Sequence, residues 1–159
     1  MPQMYKNWRV NVSARNEIIS LLNNYCYCVD TGDLDGFIKL YENAEWYVDG
    51  SAPNIGSKEI YDNVISNIII YEDGTPKTKH MTANVELIID EANGVANCQR
   101  YITVMQQTAK LPLQAIFSGH YFDEFVHENG QWRYAKTVIR HPLVGDMSQH
   151  MKATEGLNS

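Results

Sequence analysis

The chain has 159 residues, of which 44% are hydrophobic and 20% are charged, and its formal net charge is −6. This length and composition predict a single globular domain and exclude a disordered chain. The negative charge, without any cluster of Lys and Arg, argues against a nucleic-acid partner, and no apolar run approaches the length of a membrane span. Because the three Cys lack framework spacing and no apolar leader is present, we expect a cytoplasmic protein.

Three helices are predicted in the first part of the chain. The first begins at Ser13, a typical N-cap residue, and ends before Gly32, which can adopt the left-handed conformation that closes a helix. An apolar stripe with helical spacing lies between them, formed by Ile18, Leu22, Tyr25 and Val29. Asp33 is predicted to cap the second helix, and Ser57 is predicted to cap a third that runs through "KEIYDNVISNIII".

Strands dominate the second part. "AEWYVDG" predicts one short strand, and four longer strand-like runs follow between Thr78 and His141. Asn93-Gly94 and Asn129-Gly130 separate neighbouring runs and are strong signals for β-hairpins. Helices followed by an antiparallel meander predict the α+β class.

We expect the three helices to cover one face of a strongly curved antiparallel sheet, in a cone-shaped α+β barrel that encloses a pocket. This single domain is predicted to span residues 1–146. Residues 147–159 form a polar tail that is expected to be mobile or to lie on a partner. An exposed sheet face carrying Tyr101, Met105 and Tyr134 predicts a homo-oligomer, a dimer or a trimer.

Asp30 occupies a position in the first helix that is locally unfavourable for a carboxylate. It lies in the last turn of the first helix, where the helix dipole penalises a negative charge, and beside the apolar stripe. Both effects are predicted to raise the pKa of Asp30 and to make it a better base or hydrogen-bond partner. A polar helix end exposed to water is the alternative.

His80 and Arg100 are two further unusual positions, each on a predicted strand. Alternation places His80 with Thr82, Asn84 and Glu86, which favours a surface histidine. A polar pocket, or a β-bulge after His80, would reconcile this pattern with a buried imidazole. Arg100 is either a surface residue or a cation aimed into the hollow, where it would bind an anionic group.

Recognisable cofactor and nucleophile motifs are absent from the sequence. It has no nucleophile elbow, phosphate loop, zinc-protease motif or dinucleotide fingerprint. Cys26 and Cys28 are predicted to be packing residues because no second Cys or His pair would complete a zinc site. The remaining possibilities are acid/base chemistry without a cofactor or metal, or the simple binding of a small molecule.

Four segments, taken in order, resemble the SnoaL-like family: "NYCYCVDTGDLDGFIKLY", "AEWYVDG", "KHMTANVEL" and "GHYFDEFVHENGQWRYAK". The resemblance extends from about Ser13 to Asp146. It implies the nuclear transport factor 2-like α+β cone. Within the family, the chain is similar to the scytalone dehydratase, hexachlorocyclohexane dehydrochlorinase and bile-acid dehydratase branches, which use an Asp–His pair.

The resemblance also implies roles for individual residues. Asp30 matches the family's Asp at the end of the first helix, and His80, with Asn84 after it, matches the His on the first long strand. Tyr25 matches a functional Tyr that precedes the Asp. Further residues implied to line the pocket are Trp46, Phe117 and Tyr121.

This chain departs from the family pattern at two places. The dehydrochlorinase branch has a pocket Arg on the last strand, where this chain has Thr137, so Arg140 or His141 could take that place. The family usually has a small or neutral residue where Arg100 stands. We therefore keep Arg100 and His141 as candidate substrate-binding residues.

Together these residues predict a cofactor-independent lyase acting by dehydratase-type elimination on a small hydrophobic or polycyclic molecule. His80 would remove a proton from carbon, Asp30 would hold the imidazole, and Tyr25 would donate a hydrogen bond to a leaving oxygen or a carbonyl. One alternative is an isomerase or polyketide-type cyclase with the same pair. Another is a non-catalytic binding module or the small subunit of a ring-hydroxylating oxygenase.

Overall fold

The computed structural model describes residues 13–152. The helices within this range are α1 (Ala14–Asp30), α2 (Leu34–Leu40) and α3 (Gly56–Asn63), with a short 3-10 helix at Ile65–Asn67. The strands are β1 (Glu45–Val48), β2 (Asn54–Ile55), β3 (Thr78–Asp90), β4 (Val95–Gln106), β5 (Gln114–Glu128) and β6 (Gln131–Val144). The predicted α+β class is confirmed. No helix in this range is long and apolar enough to cross a membrane.

The local sequence sets both ends of α1, as predicted. The Ser13 hydroxyl accepts a hydrogen bond from a backbone N–H of the first turn. After Asp30 the helix ends at once, because Gly32 adopts a φ of +76°, a conformation that other residues rarely take. The carboxylate of Asp33 then caps α2. The chain therefore turns away immediately behind Asp30 and leaves its carboxyl group at the end of α1.

The prediction that Ser57 caps the third helix is wrong. Ile55 occupies the N-cap position of α3, and its backbone N–H donates to the Glu59 carboxylate at 2.7 Å. The Ser57 hydroxyl instead donates to the backbone oxygen of Ile38 at 2.7 Å and so joins α3 to α2. The helix also ends earlier than its sequence pattern predicted, since the following residues form the 3-10 turn.

The six strands form a single curved sheet in the order β2-β1-β6-β5-β4-β3. Strands β3 to β6 form the expected antiparallel meander, and the two Asn-Gly pairs lie in its hairpin turns. β1 runs parallel to β6, so the sheet is mostly and not entirely antiparallel. The sheet stays open, because β2 and β3 are its two edges.

A β-bulge in β3 explains the conflicting polarity pattern around His80. The register between β3 and β4 shifts near Asn84, whose φ is +54°. Before the bulge, His80 and Thr82 are the half-buried positions of the strand, whereas Val85 and Leu87 take that role after it. The extra residue reverses which side chains face the helices. His80 can therefore face inward although the alternation of the whole strand favoured the surface.

Tyr134 belongs to the core and not to an exposed sheet face, which corrects its predicted position. Its ring is 1% exposed and lies 4.8 Å from the ring of Tyr41. Strand alternation gives Tyr134 the same inward direction as the buried Trp132. Tyr101, by contrast, is 45% exposed on the outer face, as predicted.

The C-terminal segment after β6 folds back over the domain. The Ile69 N–H donates to the His150 backbone oxygen, and the Lys152 N–H donates to the Asn67 backbone oxygen, both at 2.8 Å. The Tyr71 hydroxyl donates to a backbone oxygen of the same segment. Residues 147–152 of the predicted tail thus lie against their own domain, whereas 153–159, like residues 1–12 of the predicted domain, lie outside the described residues.

We expect Gly32→Ala to destabilise the protein more than Gly50→Ala. Both glycines have positive φ, +76° and +89°, so alanine at either position costs about 1 kcal/mol in backbone strain. A Cβ at Gly32 would also lie 1.9 Å from the Gly74 backbone oxygen, whereas nothing lies within 4 Å at Gly50. Urea denaturation would measure both variants, and equal losses of unfolding free energy would contradict the role of this close approach.

Candidate active site

A cavity of about 150 Å³ lies between the helices and the concave face of the sheet. Its wall is mostly apolar and includes Val29 from α1, Ile68, Val104 from β4 and Ile139 from β6. An apolar cavity of roughly this volume is large enough to bind benzene in another protein. A concave, mostly apolar wall with few polar groups is the usual organisation of a small-molecule site.

Asp30 and His80 are in direct contact at this cavity. His80 Nδ1 lies 2.7 Å from Asp30 Oδ1, and the His80 backbone N–H donates to Asp30 Oδ2 at 2.7 Å. The Thr78 hydroxyl donates a further bond to Oδ1, also at 2.7 Å. Both side chains of the pair are 7% exposed. The last residue of α1 is thus bonded to the first residues of β3.

The pKa of Asp30 is shifted in the direction opposite to the one predicted. Burial acts to raise this pKa, but the hydrogen bonds and charge of His80 and the hydrogen bond from Thr78 outweigh it, so the pKa lies below its ordinary value. The sequence argument considered burial and the helix dipole and had no knowledge of these donors. Asp30 is therefore ionised at neutral pH.

An ionised Asp30 determines the tautomer of His80. A carboxylate only accepts hydrogen bonds, so the proton of the neutral imidazole must reside on Nδ1. Nε2 is the ring nitrogen that is not bonded to Asp30, on a ring that lines the cavity.

Tyr25 and Tyr121 line the cavity beside the imidazole. The ring centroid of Tyr25 lies 6.4 Å from that of His80 and 5.9 Å from that of Tyr121. Burial raises the pKa of Tyr25 to about 12, against opposing contributions from the Tyr121 side chain and the charge of Arg100. The Tyr25 hydroxyl therefore keeps its proton at neutral pH and can donate a hydrogen bond.

Trp46 and Phe117, which the family resemblance implied, also line the cavity. The indole Nε1 of Trp46 is buried and makes no hydrogen bond of ordinary geometry with a described residue, but it lies close enough to the Tyr25 hydroxyl to act on the pKa of that group, lowering it. It is thus a further donor group at a wall that is mostly apolar.

Arg100 does not line the cavity, contrary to its predicted role. Its Nε donates to the Asp123 carboxylate at 2.8 Å, and both side chains are fully buried. Its other nitrogens contact the hydroxyls of Thr82 and Tyr134 at 3.4 Å. The guanidinium lies 5.0 Å from the ring centroid of Tyr25 and packs against that ring. Its charge is already paired with the Asp123 carboxylate.

His141 and Arg140 also lie outside the cavity. His141 is exposed at a φ of +48°, and Arg140 is exposed with its Nε 3.6 Å from the Asp49 carboxylate. Thr137, which stands where the dehydrochlorinase branch has a pocket Arg, donates to the buried Asp123 at 2.6 Å. None of these three residues supplies a cation to the cavity.

His150 lines the cavity, although the sequence analysis did not single it out. Burial lowers its pKa to about 4, with the His80 charge acting in the same direction and Asp30 opposing it. Met147 and Met151, which flank His150, also line the cavity. Their i, i+3, i+4 spacing is the signal that could have identified one inward-facing turn in this polar segment.

The described cysteines show no arrangement typical of a metal site. Cys26 is buried and Cys28 is half-buried, in keeping with the predicted packing role. Between residues 13 and 152, no group of three or more His, Cys, Asp or Glu side chains could hold a metal ion.

Solved structures with the same fold show which class of protein this is. They include an NTF2-like protein with a cystatin-like fold from Novosphingobium aromaticivorans (TM-score 0.62, 16% identity, covering 79% of this chain and 80% of that chain). An Asp-to-Asn variant of Rv3472, a Mycobacterium tuberculosis protein of unknown function, has a TM-score of 0.63 and 23% identity, covering 78% of this chain and 69% of that chain. Hexachlorocyclohexane dehydrochlorinase LinA-type3 from Novosphingobium barchaimii has a TM-score of 0.61 and 20% identity, covering 86% and 94%. The chain therefore has the NTF2-like fold.

The family follows from the sequence itself. The family profile of the SnoaL-like domain matches residues 10–138, and the chain belongs to the SnoaL-like family, which confirms the resemblance. This family includes small-molecule-processing enzymes, lyases and isomerases among them. No curated protein sequence matches the chain.

We expect Arg100→Met to lower the free energy of unfolding by about 3–5 kcal/mol, because it leaves the buried Asp123 carboxylate without its cation. Lys58→Met is the matched control, since it breaks an exposed pair with Asp62 and should change little. Chemical denaturation would measure both. Similar unfolding free energies for the two variants would show that the Arg100–Asp123 pair has no structural role.

Stability is expected to depend on the titration of His150. Its pKa lies near 4 in the folded protein, below the ordinary value of 6.5 that the unfolded chain retains. The unfolded chain therefore binds more protons between these values, and stability falls as pH falls through this window. The loss between pH 6.5 and 4.5 should be about 2–3 kcal/mol larger in the wild type than in His150→Gln. Urea denaturation across this pH range would measure the unfolding free energy of both proteins. An equal dependence on pH in the two proteins would contradict the lowered pKa of His150.

Proposed function

We propose that this protein is a cofactor-independent lyase that catalyses an elimination on a small hydrophobic molecule, with His80 as the general base. The observation that carries the proposal is the 2.7 Å contact between His80 Nδ1 and the ionised Asp30 at the wall of an apolar cavity. An imidazole held in this way by a carboxylate is a typical arrangement for a general base.

The reaction would begin with proton removal from carbon. The lone pair on His80 Nε2 takes the proton, the electrons of the C–H bond form a C=C bond, and the leaving group departs with its bonding pair. The positive imidazolium that results lies 2.7 Å from the Asp30 carboxylate, in a site with little water to screen the attraction. Asp30 thus stabilises the charge that develops in the transition state and fixes the ring orientation.

Tyr25 is suited to assist the leaving group. Its hydroxyl stays protonated because burial raises its pKa to about 12, and its ring lies edge-on to the imidazole. A hydrogen bond from this hydroxyl would stabilise negative charge on a leaving oxygen or on an enolate oxygen. Tyr25 and His80 would then act on neighbouring atoms of one substrate.

The size of the cavity favours a single-ring substrate over a polycyclic one. A volume of about 150 Å³ accommodates a benzene-sized molecule with small substituents. Aromatic walls from Trp46, Phe117 and Tyr121 suit a flat or cyclic apolar body.

Isomerisation through an enol, or a cyclisation, would use the same first step. In these reactions Tyr25 would hold the enol oxygen while the proton or the new carbon bond is placed elsewhere. Product analysis distinguishes them, because only elimination releases a leaving group and leaves a new double bond.

We expect His80→Ala and Asp30→Asn each to lower kcat by roughly 10²–10⁴ on a compound that the wild type converts. Single-ring β-hydroxy ketones form the test panel, because their elimination gives a conjugated ketone that is followed by its ultraviolet absorbance. His80→Ala removes the base, and Asp30→Asn removes the charge that stabilises the imidazolium.

His141→Asn is the matched control, since His141 is exposed, lies outside the cavity and has a positive φ that asparagine tolerates. It should retain wild-type activity. Circular dichroism would establish that every variant is folded. Full activity in folded His80→Ala and Asp30→Asn proteins would refute the proposed base, and a stable complex with an iron-containing large chain would favour the oxygenase-subunit alternative.

A further inference from the structure

The C-terminal segment places a second imidazole at the cavity. His150 is 6% exposed and lines the same cavity as His80. Its Nδ1 has no hydrogen-bond partner among residues 13–152. Because buried polar groups are almost always hydrogen-bonded, an unpaired imidazole on a residue that lines the cavity points to a ligand that forms a hydrogen bond with it.

The backbone around His150 is held firmly enough to give its imidazole a defined position. Its backbone oxygen accepts from Ile69 N–H at 2.8 Å, and its own N–H donates to the Met147 oxygen at 2.9 Å. The neighbouring Gln149 oxygen accepts from the Tyr71 hydroxyl at 2.7 Å and from a side-chain amide of β4 at 2.9 Å. These bonds tie the turn to the segment before β3 and to the sheet.

The charges around the cavity determine what kind of ligand group fits there. Among the described residues no Lys or Arg lines it, and the buried Arg100 is already paired with Asp123. A carboxylate or phosphate would lose its hydration without meeting a cation from this part of the chain, and the ionised Asp30 would repel it. An uncharged carbonyl or hydroxyl oxygen carries no such penalty and can bond to an imidazole or an indole N–H.

We propose that His150 is a substrate-binding residue that forms a hydrogen bond with an uncharged oxygen of a single-ring alcohol or ketone. This inference rests on the proposed function and names the substrate class for that site. His150 holds the oxygen-bearing side of the ring, and His80 faces the carbon that loses its proton. The C-terminal turn therefore completes the substrate site as well as covering it.

Phenol and toluene form a suitable pair of probes, because they have nearly the same size and differ in one hydroxyl group. Long-range ¹H–¹⁵N spectra of the wild type would follow the ring nitrogens of each histidine during titration. Phenol is expected to shift the ¹⁵N resonances of His150 strongly, and toluene is expected to shift them much less. This measurement requires neither turnover nor a variant.

We expect His150→Phe to weaken phenol binding about threefold to tenfold relative to toluene, since it removes one hydrogen bond and keeps an aromatic ring. His150→Asn and His150→Gln keep a polar side chain, and at least one of them should restore the preference for phenol. His141→Asn, which changes an exposed histidine outside the cavity, should keep the wild-type ratio.

An unchanged ratio of phenol to toluene affinity in His150→Phe would overturn the proposal. So would phenol that shifts the resonances of His80 but not those of His150. If His150→Phe does not fold, the wild-type spectra and the two polar variants still test the proposed hydrogen bond. Because phenol binding involves no proton removal from carbon, loss of the His150 effect leaves the His80 base intact, and an active His80→Ala protein leaves the His150 contact intact.

Discussion

The three hydrogen bonds that Asp30 accepts from the start of β3 are the interaction on which the rest of the site depends. They join the end of α1 to the sheet through Thr78 and His80. The same hydrogen bonds therefore hold the helix against the sheet and orient the imidazole. They outweigh the burial that acts to raise the pKa of Asp30 and keep the carboxylate ionised. That charge in turn fixes which nitrogen of His80 is free. The same docking brings Tyr25, on an earlier turn of α1, beside the ring.

A second buried ion pair holds the Arg100 cation away from the cavity. Arg100 and Asp123 are completely buried and satisfy each other, with Thr137 and Tyr134 contributing further contacts. The guanidinium packs against the ring of Tyr25 and does not line the cavity. The carboxylate–imidazole pair therefore faces a cavity that residues 13–152 line without any Lys or Arg, which suits uncharged substrates and the chemistry of proton removal from carbon.

The cavity is completed by residues far apart in the chain. α1 provides Tyr25, β1 provides Trp46, and the segment after the last strand provides His150. These three elements bring polar groups to a cavity whose wall is otherwise mostly apolar. In the proposed reaction, one side of a small ring would be held by hydrogen bonds while His80 acts on another side.

The sequence by itself determined the features that depend on neighbouring residues: the cap at Ser13, the stop at Gly32 and the Asn-Gly hairpins, because a turn or cap is decided within a few bonds. The family resemblance supplied the pairing of Asp30 with His80, which no local pattern contains. Only the tertiary structure decided the direction of the pKa shift at Asp30, the partner of Arg100 and the inward position of His150. These depend on donors, charges and walls brought from remote segments, and strand alternation or helix position carries no information about such neighbours.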